Sequence, residues 1–373
     1  VSGLELHCCA GPARLASLPL THATVTTPLF MPVATRGMVR LLPSAVVEEL
    51  GYEVLLANAY HLWLRPGASV IEALGGLRGF TGFGGAFLTD SGGFQIMSLG
   101  AKVDEEGASV RNVYDGALVR LTPELMVEVQ AALGADIAMV LDVCTALPAD
   151  PELLARHMAL TTRWAARARA HHRSATQLLF GIVQGGASAA LRRRSARELV
   201  DLGFDGYGIG GLAVGEPPEA TLEALSEVIA LLPPTAPRYL MGVGDPYLLA
   251  HAIALGVDMA DCVAPTRLAR HAVALTGGGR LRLRQRRHAT EDGPIEEGCD
   301  CSTCQHVPRA LITHLCHVDP PSAGALVTAH NLRFQLRLIE RLRTAIANDT
   351  LKDVLDWADA TYGPHPKDRP PGD

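Results

Sequence analysis

Three cysteines, Cys299, Cys301 and Cys304, fall within a few residues of one another, and His330 follows some two dozen residues on, at the start of a helix-like stretch. Thiolates and imidazole are soft or borderline donors, and four of them satisfy a tetrahedral divalent zinc. In a chain without a visible secretory leader, such spacing reads as a metal site rather than a disulfide framework. Four protein ligands close the coordination shell, so the expected Zn2+ has no position from which to activate water and is structural. His306, His314, Cys316 and His317 are also close enough in sequence to supply the fourth ligand.

A second set of residues can do chemistry without a metal. Asp90, Asp142 and Asp261 each stand at the end of a short apolar run, as do Asn58, Gln184 and the glycine pair Gly210 and Gly211. One aspartate after a strand is ordinarily a helix cap. Three carboxylates and a glutamine at equivalent points exceed what caps require. They suit a nucleophile, a proton-transfer group and an acceptor that recognises a base, which is the equipment of glycosidic chemistry. Ser91 lacks the spacing of a nucleophile elbow, and Gly208 to Gly211 completes no dinucleotide or phosphate-loop fingerprint.

These residues need a scaffold that brings strand ends together. Apolar runs at Pro28 to Val33, Glu53 to Ala57, Ala86 to Thr89, Ile137 to Leu141, Leu178 to Val183, Tyr207 to Ile209, Arg238 to Met241 and Val257 to Ala260 alternate with helix-like stretches. Thr122-Pro123-Glu124 opens one helix, and residues 188–202 and 217–232 carry amphipathic spacing. About eight βα units predict a (β/α)8 TIM barrel, an α/β fold whose functional residues sit at the carboxyl ends of the strands. The expected division is a catalytic barrel over residues 1–265, then an arginine-rich segment, zinc-binding subdomain and closing helix over 266–345. A helix end and disordered tail follow over 346–373. Residues 100–121 read as an irregular insertion.

The 373 residues, 48% hydrophobic and 19% charged, can bury a large core. A net charge of −6 argues against a generic, charge-driven nucleic-acid binder. Locally the balance reverses, because seven arginines and no acid lie between Arg267 and Arg287. That stretch reads either as a solvated face or as a phosphate-contacting patch. No leader or membrane-length apolar run is visible, so a cytoplasmic protein is expected.

The segments Thr27 to Val33, Asn58 to Leu62, Thr89 to Gln95, Val183 to Gly186, Gly210 to Glu216, Tyr239 to Gly244 and Asp261 to Arg267, with the cysteine and histidine set, resemble the tRNA-guanine transglycosylase family. The resemblance runs from about residue 20 to about residue 345. It implies that Asp261 is the nucleophile at the ribose anomeric carbon of the wobble guanosine and Asp90 the general acid/base. It further implies that Asp142, Gln184 and the Gly211 backbone read the base, that Leu212 and Ala213 meet its substituent, and that Phe94 and Met241 help to line its site. Arg267 and Arg270 would hold tRNA phosphates, and Cys299, Cys301, Cys304 and His330 would bind zinc.

Cys144 and Val214 match the bacterial form, which takes 7-aminomethyl-7-deazaguanine rather than queuine. The implied partners are the tRNA anticodon loop, the 7-deazaguanine base and a second copy of the chain. A queuine-inserting enzyme and a non-catalytic tRNA-binding relative are the alternatives, and the presence of both Asp90 and Asp261 argues against the latter. An archaeal-type enzyme would carry additional RNA-binding domains. The chain departs from the family pattern at Arg36, where a polar amide is usual, at Ala260 and Ala264, at His271, and at Asp245, where lysine is common.

Overall fold

The computed structural model describes residues 3–364. Eight parallel strands form its centre: β1 (Leu29–Pro32), β2 (Val54–Asn58), β3 (Ala86–Asp90), β4 (Ile137–Met139), β5 (Leu178–Val183), β6 (Gly206–Ile209), β7 (Arg238–Leu240) and β8 (Met259–Cys262). They pair in the order β1-β8-β7-β6-β5-β4-β3-β2, and a parallel bridge between Val33 and Leu56 closes the ring. All six residues of β5 are buried. That unbroken apolar run is what a strand covered on both faces requires.

The longer helices are α1 (Pro123–Ala132), α2 (Pro151–His171), α3 (Ala189–Leu202), α4 (Pro218–Ile229), α5 (Pro246–Ala254), α6 (Arg309–Val318), α7 (Pro320–Asn348) and α8 (Leu351–Tyr362). Their starts follow capping chemistry. Thr122 accepts from Leu125 N at 3.2 Å, Asp150 from Glu152 N at 2.9 Å and Ser188 from Leu191 N at 3.4 Å. None of the described helices is long and apolar enough to cross a membrane.

Three antiparallel additions surround the barrel. An N-terminal meander of Glu5–Ala10, Ala13–Pro19 and Thr24–Thr27 precedes β1. The stretch expected to be irregular is an arm of Lys102–Val103, Ala108–Arg111 and Leu118–Leu121. Its period-two pattern, with Ala108, Val110 and Leu121 inward, makes it a sheet. Trp164 Nε1 donates to Glu105 O at 3.0 Å and Arg163 holds the Glu105 carboxylate at 2.6 and 2.8 Å, which fixes the arm to α2.

After β8 come the short helix Ala264–Arg270, a hairpin of Val273–Thr276 and Gly279–Arg282, and the helical lobe with the cysteines. The closing helix differs from its expected start. α7 opens at Pro320, so His330 lies well inside it. Pro320 and Pro321 fit a first turn, Asp319 caps it, and Gly324 permits close packing on Leu41. The helix runs to Asn348, and α8 adds an element the sequence reading lacked. The tail expected to be disordered lies mostly outside the described residues.

Candidate active site and metal centre

Asp261 is the third residue of β8, at the carboxyl end of the barrel. Tyr239 on β7 donates its hydroxyl to Asp261 Oδ1 at 2.6 Å, and Gly242 N donates to the same oxygen at 2.8 Å. Burial raises the Asp261 pKa above its ordinary value, while these two donors pull it back toward the ionised form. One oxygen is thus held and oriented. The adjacent Cys262 thiol is pushed up to about 11 by burial and by the Asp261 charge, which leaves it protonated and inert.

Asp90 ends β3 directly opposite Asn58 of β2. Asn58 Nδ2 donates to Asp90 Oδ2 at 2.7 Å, and Asn58 Oδ1 accepts from His61 N at 2.9 Å, so the amide is oriented on both sides. The second oxygen, Oδ1, is enclosed and has no partner. Burial, then the charge of Asp261, pushes the Asp90 pKa up to about 8; hydrogen bonds from Ala59 N and Asn58 oppose the rise. A carboxyl that is neutral near pH 7 and has a free oxygen can give a proton and take it back.

Asp142 follows β4 and accepts from Gln184 Nε2 at 2.6 Å; burial pushes its pKa up to about 6. Its other oxygen lies where a side chain at position 93 would be, since a Cβ on Gly93 would come within 1.7 Å of Asp142 Oδ1. Gly211 is constrained in the same way. Its φ of 62° favours glycine, and a Cβ there would come within 2.4 Å of Gln184 Oε1. Leu212 is buried and Ala213 exposed, and the loop they occupy is folded by Glu216, which accepts from Ala213 N at 2.5 Å and Val214 N at 3.1 Å. Met241 lies close to Gly208 and Gly210, Phe94 is 60% exposed, and burial pushes the Cys144 thiol up to about 12.

Several contributing residues were not among the expected site residues. Tyr239 reads as core because it lies inside an apolar strand. Arg192 is fully buried: Nε donates to Gly186 O at 2.5 Å, and Nη2 to Gly210 O and Gly211 O at 3.0 Å each. It therefore ties the loops after β5 and β6 together. Its signal was present, since Arg192, Ser195, Ala196 and Leu199 form the buried stripe of α3. Asn58 was visible as a strand-end residue, but its partnership with Asp90 depends on strand register.

The arginine-rich stretch divides in space. Arg267 and Arg270 lie on the short helix after β8, whereas Arg280 pairs with Asp245, which also caps α5. Arg282, at the end of the hairpin, and Arg284, Arg286 and Arg287 beyond it are exposed.

Cys299, Cys301, Cys304 and His330 place their ligand atoms within 4.8 Å of one another. His330 Nδ1 lies 3.6, 3.9 and 3.3 Å from the three sulfurs in that order. Tetrahedral zinc with ordinary Zn–S and Zn–N bonds spaces its ligands by roughly 3.5–3.8 Å, so the donor set fits such an ion. His330 Nε2 faces Leu275 O at 2.8 Å, which fixes the tautomer that leaves Nδ1 free to bind metal. His314 is exposed on α6, outside the cluster.

Residues 8–363 match the family model described as queuine tRNA-ribosyltransferase. Among similar proteins bearing that name, one from Thermus thermophilus is 49% identical over 95% of this chain and 93% of its own length. One from Desulforudis audaxviator is 49% identical over 92% and 93%, and one from Thiobacillus denitrificans is 46% identical over 90% and 92%. The likeness extends beyond residues 20–345 at both ends and takes in most of the N-terminal meander and α8.

Proposed function

Because the chain belongs to the queuine tRNA-ribosyltransferase family and is a pentosyltransferase, we propose that it exchanges the wobble guanine of GUN-anticodon tRNAs for 7-aminomethyl-7-deazaguanine by covalent double displacement. The observation that carries the mechanism is the unlike pair of carboxyls. Asp261 is held by two donors that favour its ionised form, while Asp90 is pushed up to about 8 and keeps one oxygen free. Burial raises both carboxyls; the Asp261 charge raises Asp90 further, whereas Tyr239 and Gly242 favour ionised Asp261, a difference that suits Asp90 to the acid and Asp261 to the nucleophile.

In the first displacement an Asp261 oxygen attacks C1′ of the ribose. The bond from C1′ to guanine N9 breaks, its electron pair goes to the base, and Asp90 supplies the proton that neutralises it. In the second, the incoming base gives a proton to Asp90 and its N9 attacks C1′, releasing the Asp261 carboxylate. Two inversions retain configuration. Asp142 and Gln184 receive and present hydrogen bonds to the base edge, beside the Gly211 backbone. Leu212 and Ala213 meet the substituent, and Phe94 and Met241 flank the base. Cys144 and Val214 limit the pocket volume, which favours the aminomethyl base over queuine.

Cys299, Cys301, Cys304 and His330 would hold Zn2+, which supplies cross-linking between the lobe and α7 and no chemistry at the base. Arg267 and Arg270 hold phosphates beside the nucleophile, since a guanidinium fork matches a phosphate in two bonds. We place the protein in the cytoplasm and expect a homodimer.

Incubation with tRNA and labelled guanine, aminomethyl base or queuine tests this reading. Guanine and the aminomethyl base should enter tRNA and queuine should not. Asp261→Asn should abolish both exchange and the covalent tRNA adduct. Native-rate guanine exchange in that variant would overturn the nucleophile assignment.

A further inference from the structure

We propose that Arg36 and Arg65, held against the ring of Tyr114, form a phosphate-binding pair that takes the RNA backbone on the β1 and β2 side of the active-site mouth. The inference rests on the tRNA reading above and extends its contact surface to the far side of Asp261. The Arg36 guanidinium carbon lies 5.6 Å from the centroid of the Tyr114 ring and that of Arg65 lies 4.7 Å from it. Both arginines are exposed.

Three unrelated segments converge here. Arg36 follows β1, Arg65 follows the short helix Ala59–Leu64 after β2, and Tyr114 sits at the turn of the arm. The turn is built rather than loose: Asn112 Oδ1 accepts from Tyr114 N at 2.9 Å and Asp115 Oδ1 accepts from Ala117 N at 2.9 Å. Tyr60, fully buried, donates its hydroxyl to Arg111 O at 3.3 Å and joins the arm to the segment that starts at Asn58. The Tyr114 hydroxyl lies 3.4 Å from His61 Nδ1. Burial and the Arg36 charge hold His61 below its ordinary pKa, so it adds no competing cation.

Strand order gives these cations a direction. β2, β1 and β8 are consecutive around the barrel, so their loops are consecutive on its rim. Along that rim lie Arg65, then Arg36 and Arg40, then Arg267 and Arg270. Among the described residues none of these five is in an ion pair. Asp90 ends β3 and Asp261 is the next-to-last residue of β8, and β2 and β1 lie between those two strands, so the arc runs along the rim that separates the two carboxyls. In a chain of net charge −6, a row of unpaired arginines at one mouth invites a polyanion. Stacking on an aromatic ring restrains a guanidinium while leaving its N–H edges free for phosphate.

The test is guanine exchange into tRNA over a salt series, comparing the parent with the double variant Arg36→Ala/Arg65→Ala and with Tyr114→Ala and Tyr114→Phe. The double variant should raise the KM for tRNA about tenfold near 0.15 M salt. It should also flatten log KM against log salt by about 0.7 for each phosphate that is no longer neutralised. The KM for guanine and kcat at saturating tRNA should show no comparable change. Tyr114→Ala should reproduce part of the tRNA effect and Tyr114→Phe should rescue it, because the ring and not the hydroxyl holds the arginines. Normal exchange with unchanged tRNA KM and salt slope in the double variant overturns the phosphate pair alone. Absence of exchange in the unsubstituted protein overturns the functional reading and this inference with it.

Discussion

Asp90 has one oxygen held by Asn58 and one enclosed without a partner, and its neutral form is favoured by burial and by the Asp261 charge. Its pKa rises from 3.8 to about 8, so between those values the folded chain binds a proton that the unfolded chain has lost. Linkage then makes stability fall as pH rises through that window; the contribution is fullest below the lower value and gone above the upper one. Two consequences follow from one shift. The kcat/KM for tRNA in guanine exchange should fall on the alkaline side with an apparent pKa near 8, as the acid needed to expel guanine ionises. Asp90→Asn should abolish exchange yet raise the Tm at about pH 8.5, by roughly 2 °C for each kcal/mol of ionisation cost removed. A pH profile flat to about 9.5, with no gain in Tm for the variant, would remove Asp90 from the acid role.

At the scale of elements, the barrel was legible because its strands are buried and mostly apolar runs, several of them ending at or followed by a polar residue or a glycine. Leu178 to Val183 matches β5 end to end, and the other seven differ at one or both ends. Elements whose burial is one-sided were harder to see. The meander alternates around small residues such as Ala13 and Ala16, and the arm buries at most two positions per strand. Asp90, Asp142 and Asp261 were identifiable because strand ends in this fold share one face. Tyr239 and Arg192 were not, because what they hold lies on other elements.

The cysteine–histidine cluster was legible from donor type and spacing, but the start of the helix carrying His330 was not, because two prolines and a glycine resemble a break. α7 settles the geometry by presenting Nδ1 to the sulfurs. His330→Ala should therefore lose both zinc content and thermal stability, and His314→Ala should keep both. Metal analysis and melting curves giving the reverse pattern would move the fourth ligand to α6.

For the whole molecule, the decisive element is again α7, because it belongs to both the lobe and the barrel. Near its start Thr303 Oγ1 donates to Leu326 O at 2.9 Å; farther along, Tyr52 donates to Leu332 O at 2.7 Å, and near its end Arg343 Nε donates to Pro28 O at 2.8 Å. Asn331, fully buried beside His330, accepts from Leu275 N at 2.8 Å and donates to Pro265 O and Val273 O at 3.0 Å each. Pro265 lies in the helix of Arg267 and Arg270, four residues beyond Asp261. Loosening the cysteine–histidine cluster should thus loosen the seat of Arg267 and Arg270.

If metal were local trim, stripping it would melt the lobe alone. The shared helix argues instead for one cooperative transition whose midpoint falls when zinc is chelated. A site occupied at roughly 1,000 times its Kd contributes about 4 kcal/mol to the folded state. Calorimetry with and without chelator should show that single displaced transition. At temperatures below it the stripped protein should have a raised KM for tRNA and little change in KM for guanine. Two transitions, with the barrel melting unchanged after chelation, would mean that α7 does not transmit the metal's hold to the barrel.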